Sequence, residues 1–136
     1  VSGVPVEVLK RVPLFADLNA QELERIARLF KERRFSAGET VIQQGSGAAA
    51  FFVIDSGEAT VFVDGKERRV LKTGDSFGEL ALIDAGTRTA TITAASELVC
   101  SGVTFWDFRP LVEENGVIGW KMMQALVTIF RAERGE

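Results

Sequence analysis

The residues best equipped for chemistry are Glu79 and Arg88, set in the segments Phe77-Gly78-Glu79-Leu80-Ala81-Leu82 and Arg88-Thr89-Ala90-Thr91. A helical turn starting at Gly78-Glu79 would offer unpaired backbone N–H groups and the positive end of a small dipole, which suits a single phosphate. Arg88, just before an expected strand, can reach the same point and hold two phosphate oxygens with its planar fork; lysine would bring charge without that geometry. A carboxylate beside an anion needs separate work, and accepting a hydrogen bond from a sugar hydroxyl is such work. Carboxylate, amides and guanidinium together describe a ribose phosphate. The same pair would also serve as an ion pair closing a loop, and residue types alone leave both readings open.

Other chemistries are excluded more firmly. The sequence has no histidine, which removes Ser-His-Asp and Cys-His nucleophiles and the imidazole-rich metal sites of small β-barrel enzymes. The single cysteine, Cys100, follows Leu98 and Val99 and reads as a buried thiol in a strand. Glu113-Glu114 and Asp84 read as solvated carboxylates, and Gly45-Ser46-Gly47 lacks the lysine of a nucleotide-binding P-loop, so it is a turn. A net charge of −3 argues against wholesale nucleic-acid binding. The run Lys31 to Arg34 contains Glu32 and reads as the solvated end of a helix. No apolar run reaches the ~20 residues that cross a bilayer, and no secretory leader is recognisable, so the expected address is cytoplasmic, away from membranes. The first residue is Val1, which leaves room for flanking domains.

The elements that must position Glu79 and Arg88 follow from pattern. The 136 residues suit one domain, with 46% hydrophobic and 26% charged residues, the balance of a folded globule. Val4 to Arg11 reads as a short helical turn broken at Pro13. Asn19 and Glu22 form a capping-box start, and Leu23, Ile26, Ala27 and Phe30 continue an amphipathic helix to about Arg33. From Phe35 to Gly102, short β-branched and aromatic runs alternate with glycines, which indicates an all-β barrel or sandwich. The expected strands are Thr40 to Gln43, Phe51 to Asp55, Ala59 to Val63, Arg68 to Leu71, Thr89 to Thr93 and Glu97 to Ser101, with a hairpin turn at Asp64-Gly65. Glu79 to Ile83 reads as one helical turn inserted among them. Thr104 with Asp107 caps a helix that Pro110 either kinks or divides, and Asn115-Gly116 marks a stop. From Val117 a long helix carries one apolar stripe of Ile118, Met122, Ala125, Leu126 and Ile129 and another of Trp120, Met123, Val127 and Phe130. Such a helix must be covered on two sides, the second by a partner chain, another domain or a ligand.

On these residues, Phe77 to Thr91 resembles the phosphate-binding cassette of cyclic-nucleotide-binding domains, the family of catabolite-activator-type regulators, cyclic-nucleotide kinases and gated channels. Pro13-Leu14-Phe15, the helix from Leu18 to Phe30, Gly38-Glu39, Phe51 to Gly57 and Leu71 to Asp75 fall where that family's pattern puts them. The resemblance implies a mainly β fold with flanking helices: a double-stranded, jelly-roll-like β-roll over residues 35–103, an N-terminal helical part over 1–34 and C-terminal helices over 104–136, with the cassette at 77–91. It implies Glu79 on the ribose 2′-hydroxyl, Arg88 on the cyclic phosphate, and Phe77, Gly78, Leu80, Ala81 and Ala90 around the phosphate cradle. Two positions depart from the pattern, Thr87 where proline is common and Ser46 where an acid is frequent. Thr89 resembles the form associated with guanine contact, yet bacterial members with a hydroxyl there also take cAMP, so cAMP is expected before cGMP. Ile129 and Phe130 stand at lid positions over the base.

The expectation is a non-enzymatic sensor module, with no cofactor or metal, in which cAMP or cGMP shifts the C-terminal helix and so addresses a homodimer partner or a further effector domain. A DNA-reading helix-turn-helix would have to follow Glu136, so the sequence as given reads no nucleic acid by itself. The alternative keeps the fold as an interaction or dimerisation module without ligand.

Overall fold

In the computed structural model, which describes residues 4–47, 50–86 and 88–135, the chain opens with α1 (Val6–Lys10), a 3-10 turn at Pro13–Phe15 and α2 (Ala20–Ala27). The capping box forms: the Asn19 side chain accepts from the Glu22 N–H and the Glu22 carboxylate accepts from the Asn19 N–H, both at 2.9 Å. Eight strands follow: β1 (Lys31–Phe35), β2 (Thr40–Ile42), β3 (Ala50–Ser56), β4 (Ala59–Val63), β5 (Lys66–Leu71), β6 (Ser76–Phe77), β7 (Thr91–Ala94) and β8 (Leu98–Thr104). A 3-10 turn at Glu79–Leu82 interrupts them, and α3 (Phe105–Glu114) and α4 (Gly116–Glu133) close the chain. Thr87, which stands where proline is common in the pattern, lies outside the described residues.

The strands form two antiparallel sheets, ordered β1-β8-β3-β6 and β2-β7-β4-β5. Between them lies one apolar core, with Phe52, Ile54, Leu71, Phe77, Ile92 and Cys100. A second core, with Phe15, Ile26, Phe51, Val53, Phe108 and Met122, fills the space between the outer face of the first sheet and the helices. Strand β3 therefore buries Phe52 and Ile54 on one face and Phe51 and Val53 on the other. That is why Phe51 to Ile54 is an unbroken apolar run. The Asp64-Gly65 hairpin has positive φ at both residues, 53° and 79°, the geometry that this pair of residue types tolerates.

One sequence expectation needs correction. The second helix ends at Ala27, so the N-terminal helical part stops short of residue 34 and Lys31–Phe35 is a strand. Pairing with β8, from Lys31 opposite Gly102 to Phe35 opposite Leu98, decides the matter. Four exposed charged residues suit the edge strand of a sheet as well as a helix end, since charge guards an edge from further pairing. Strand β6 was not anticipated, being two residues long. Pro110 lies inside the single helix α3, whose first turn is capped by the Thr104 hydroxyl accepting from the Asp107 N–H at 3.1 Å. Asn115 is a joint between α3 and α4: its amide donates to the Leu111 carbonyl at 2.8 Å and its oxygen accepts from Arg25 at 2.6 Å.

Helix α4 buries Ile118, Met122 and Ala125 and leaves Trp120, Met123, Val127 and Phe130 exposed. Its Lys121 ammonium meets the Glu22 carboxylate at 2.8 Å, in a mostly covered pair that joins α4 to the capping box of α2. Among the described residues no helix is long and apolar enough to cross a membrane.

Cys100 is fully buried, and burial, followed by the charge of Asp55, pushes its thiol up to about 12. The folded chain should therefore resist a disulfide reagent at neutral pH and react with it only in denaturant; fast labelling of the native chain would contradict this packing. The hydrogen bond from Lys121, reinforced by the Asn19 N–H, holds the Glu22 carboxyl below its ordinary value of 4.5. A depressed carboxylate stabilises the fold above its unfolded pKa, and that stabilisation is lost as pH falls through the folded one. Lys121→Met should lower the thermal midpoint by about 2–5 °C at neutral pH, equivalent to roughly 1 kcal/mol. In melts repeated in acid the difference should shrink, and an undiminished difference would remove the ion pair as its cause.

Candidate functional site

The site is built around a backbone that only glycine enters readily. After β6, Gly78 adopts φ 89° and ψ 18° and turns the chain out of the sheet into Glu79–Leu82. A Cβ at residue 78 would run into the Arg88 guanidinium on one side and stand 2.6 Å from the Ala50 carbonyl oxygen on the other. Glycine thus serves two purposes here, the left-handed turn and the close approach of an arginine.

Arg88 is held by its own backbone. The Gly45 N–H donates to the Arg88 carbonyl and the Arg88 N–H donates to the Ser46 carbonyl, both at 2.9 Å, so residue 88 is clamped to the loop after β2. The same loop is fixed further along, where the Gln44 N–H donates to the Thr91 hydroxyl at 2.9 Å. Next to this clamp the Ser46 hydroxyl is buried without a hydrogen-bond partner.

The side chain of Arg88 is half-buried, and burial draws its guanidinium below the usual value while the charge of Glu79 opposes the shift. Among the described residues no carboxylate comes within 4.0 Å of that guanidinium. Glu79 therefore acts on Arg88 through its field and not as a contact ion pair, which removes the simple loop-closing reading of the two residues. A partly desolvated cation beside a carboxylate at longer range leaves room for a third group between or beside them.

That room is a cavity of about 590 Å³. Phe77, Gly78, Glu79, Leu80, Ala81, Arg88, Thr89 and Ala90 all border it, so the structure brings these expected site residues together. The turn at Glu79–Leu82 leaves the first N–H groups, those of Glu79 and Leu80, without an intrahelical acceptor. The Ala81 N–H is taken by the Gly78 carbonyl at 3.0 Å. The Phe77 ring stacks on Phe52 at 5.3 Å between centroids, so this residue anchors the cradle in the core.

Ile129 and Phe130 are not among the residues that border the cavity; Ile129 is half-buried on α4 and Phe130 exposed. Sequence reading missed Ile42, Val61 and Ile92, which form an apolar wall, and Asp84, Ser76 and Arg69. Arg69 could have been found from strand period, since it stands two residues before the inward-facing Leu71. No group of three or more His, Cys, Asp and Glu residues able to hold a metal ion is present among the described residues.

Comparison with known proteins agrees with this architecture. The family model of the cyclic nucleotide-binding domain matches residues 32–115. A cAMP-dependent protein kinase regulatory subunit of Emericella nidulans is 41% identical over 92 residues, which cover 66% of this chain and 22% of that protein. A cGMP-dependent protein kinase of Plasmodium berghei is 35% identical over 106 residues, 78% of this chain and 12% of that protein. The matched part therefore spans about a fifth or less of the length of these relatives. Among solved structures, the N-terminal domain of a transcriptional regulator from Streptomyces coelicolor A3(2) superposes with a TM-score of 0.81 at 27% identity, covering 93% of this chain and 94% of that one. The Thermus thermophilus catabolite activator protein gives 0.69 at 25% identity, covering 90% and 60%. With eight strands in two antiparallel sheets, flanking helices and a family match over most of the roll, the chain belongs to the cyclic nucleotide-binding domain family.

Proposed function

We propose that the cavity takes a 3′,5′-cyclic purine nucleotide, cAMP before cGMP, and that the chain is a regulatory sensor whose output is the position of its C-terminal helix. The observation that carries the reading is Arg88: a backbone-clamped, partly desolvated guanidinium without a contact carboxylate, pressed against Gly78 at the rim of a cavity. An exocyclic phosphate oxygen pair supplies the missing anion, and the open amides of Glu79 and Leu80 donate to the same group. The Glu79 carboxylate accepts from the ribose 2′-hydroxyl, Gly78, Ala81 and Ala90 leave space for the sugar phosphate, and Thr89 faces the purine. Relatives named for cAMP and for cGMP support a ligand of this class.

In this reading the residues around the cavity bind the nucleotide and make or break none of its bonds. Glu79 and Arg88 suffice for binding, and the nucleotide acts as a signal rather than a substrate. The signal leaves through the turn at Glu79–Leu82, whose Leu82 belongs to the core packed under α3 and α4. A ligand shifts those helices only to the extent that it binds their two positions unequally. The exposed face of Trp120, Met123, Val127 and Phe130 is then the surface that a second copy or an effector domain reads. Ile129 and Phe130 reach the base only if α4 swings over the cavity, and in that closed state they form its lid. The same apolar face is what a ligand-free interaction module would use, which is the competing reading.

Isothermal calorimetry with cAMP and cGMP decides between them. Arg88→Ala should cost about 2–5 kcal/mol of binding and Glu79→Ala a similar order, because each leaves a charged or polar ligand group without its partner. Unchanged affinity in Arg88→Ala sinks the pose, and failure of both nucleotides to raise the melting temperature at millimolar concentration favours the ligand-free module. Gly78→Ala should damage the site more than a methyl group ordinarily would, since the positive φ and the Ala50 carbonyl oxygen, a backbone atom 2.6 Å from the added Cβ, both oppose it and the Arg88 guanidinium would have to move aside. We expect at least ~1 kcal/mol of destabilisation and a loss of nucleotide binding in the same protein. Wild-type melting and affinity in that variant would show that Arg88 does not need to approach residue 78.

A further inference from the structure

Strand β8 carries a glycine where its backbone asks for none. Gly102 lies inside Leu98–Thr104, paired with Lys31 of β1 on one side and with Phe52 of β3 on the other, and its φ is not left-handed. Glycine weakens the interior of a strand, so its presence there marks a neighbour that comes close. That neighbour is the ring of Phe52: a Cβ at residue 102 would stand 2.7 Å from its Cε1 and 2.8 Å from its Cδ1. The ring is poorly placed to give way. It is buried, it meets Phe35 edge-on at 6.4 Å between centroids, and the Arg33 guanidinium stands 5.9 Å from its centre. Its other aromatic neighbour is Phe77, stacked at 5.3 Å with 27° between the planes.

Phe77 directly precedes Gly78, and it belongs to a strand of two residues held to β3 by the pairs Phe52 with Phe77 and Val53 with Ser76. With so short a strand, the ring stack carries much of the task of fixing where the turn at Glu79–Leu82 begins. We propose that Gly102 is a positioning residue for the cavity: by lacking a side chain it lets the Phe52 ring lie over β8, which gives Phe77 its platform and so sets where Gly78 and the open amides of Glu79 and Leu80 stand. Gly102 itself does not border the cavity, so its influence passes through the two rings. Added volume at residue 102 pushes Phe52 against Phe77 or toward the opposite sheet. A close-packed interior transmits that displacement to the turn rather than absorbing it.

The inference rests on the cyclic-nucleotide reading of the cavity, and two measurements on the same proteins let the two fail separately. Calorimetric affinities for cAMP and cGMP are taken well below the melting midpoint, where the chain is folded, and the midpoint is recorded without ligand. Gly102→Ala should weaken binding ~5- to 50-fold as well as lower the midpoint. A glycine that serves packing alone would lower the midpoint and leave the affinity of the folded chain at its wild-type value, and that result overturns the proposal. Phe52→Leu, which removes the ring and adds no volume at residue 102, should itself weaken binding ~2- to 10-fold. Wild-type affinity there overturns the role of the ring, even if Gly102→Ala does not fold. In the Phe52→Leu background the methyl of Gly102→Ala has no ring to meet, so the double variant should bind no more weakly than Phe52→Leu alone. An equal loss in both backgrounds overturns the coupling between the two positions. Absence of binding of either nucleotide to the wild-type chain overturns the cyclic-nucleotide reading and this inference with it.

Discussion

The approach of the Arg88 guanidinium to the backbone at Gly78 is the constraint around which the rest of the site is arranged. It requires a residue without a Cβ, a left-handed turn directly after β6, and a fixed origin for the arginine side chain. The last requirement is met by main chain rather than by packing, since Gly45 and Ser46 hold residue 88 through both its N–H and its carbonyl. On the far side of Gly78 the Ala50 carbonyl closes the space, so the turn is confined between the start of β3 and the arginine. A cation in such a slot is partly desolvated and, among the described residues, has no carboxylate within contact distance, and this combination favours an anionic ligand.

The segment after β6 also ties the two cores together. Phe77 sits in the core between the sheets, stacked on Phe52, whereas Leu82 sits in the core beneath the helices with Phe108, Ile118 and Met122. The residues between them border the cavity. A displacement of Glu79–Leu82 by a ligand therefore cannot be absorbed locally, because close-packed side chains at both ends resist small changes. In the proposed reading it is taken up as movement of α3 and α4, whose Phe108, Ile118 and Met122 share the core of Leu82. Glu22 opposes such movement by serving twice, in the cap of α2 and as the partner of Lys121 on α4. Asn115 and Arg25 form a similar tie at the joint between α3 and α4.

Local features were legible where a few neighbouring residues decide the geometry. The Asn19–Glu22 box, the Thr104 cap and the Asp64-Gly65 turn each follow from side-chain chemistry within one turn of the backbone, and each forms. The grouping of Glu79, Arg88 and their neighbours around one cavity was also foreseen, although their ligand contacts are a matter of proposal. What escaped depends on partners distant in sequence. Lys31–Phe35 is a strand because β8 offers it an edge, and β6 exists only through two pairs with β3. The cavity wall of Ile42, Val61 and Ile92 comes from three strands, and no local pattern marks those residues as bordering a cavity rather than filling a core.

Helix α4 shows why its two apolar stripes could be seen but not assigned. Ile118, Met122 and Ala125 are buried, and the opposite stripe is exposed along most of its length, with Trp120 at 61% and Phe130 at 58%. Residues 120, 123, 127 and 130 recur with the alternating spacing of a helix seam, which a single helix surface in water has no reason to maintain. Lys121 lies beside this stripe and is bound to Glu22, so the orientation of the exposed face is set by the same ion pair that holds α4 against α2. Rotation of α4 about its axis would break that pair and turn the apolar stripe at once. In the proposed reading the exposed stripe and the Glu22–Lys121 contact follow one coordinate, the position of α4, and the turn next to the cavity shares a core with that helix through Leu82.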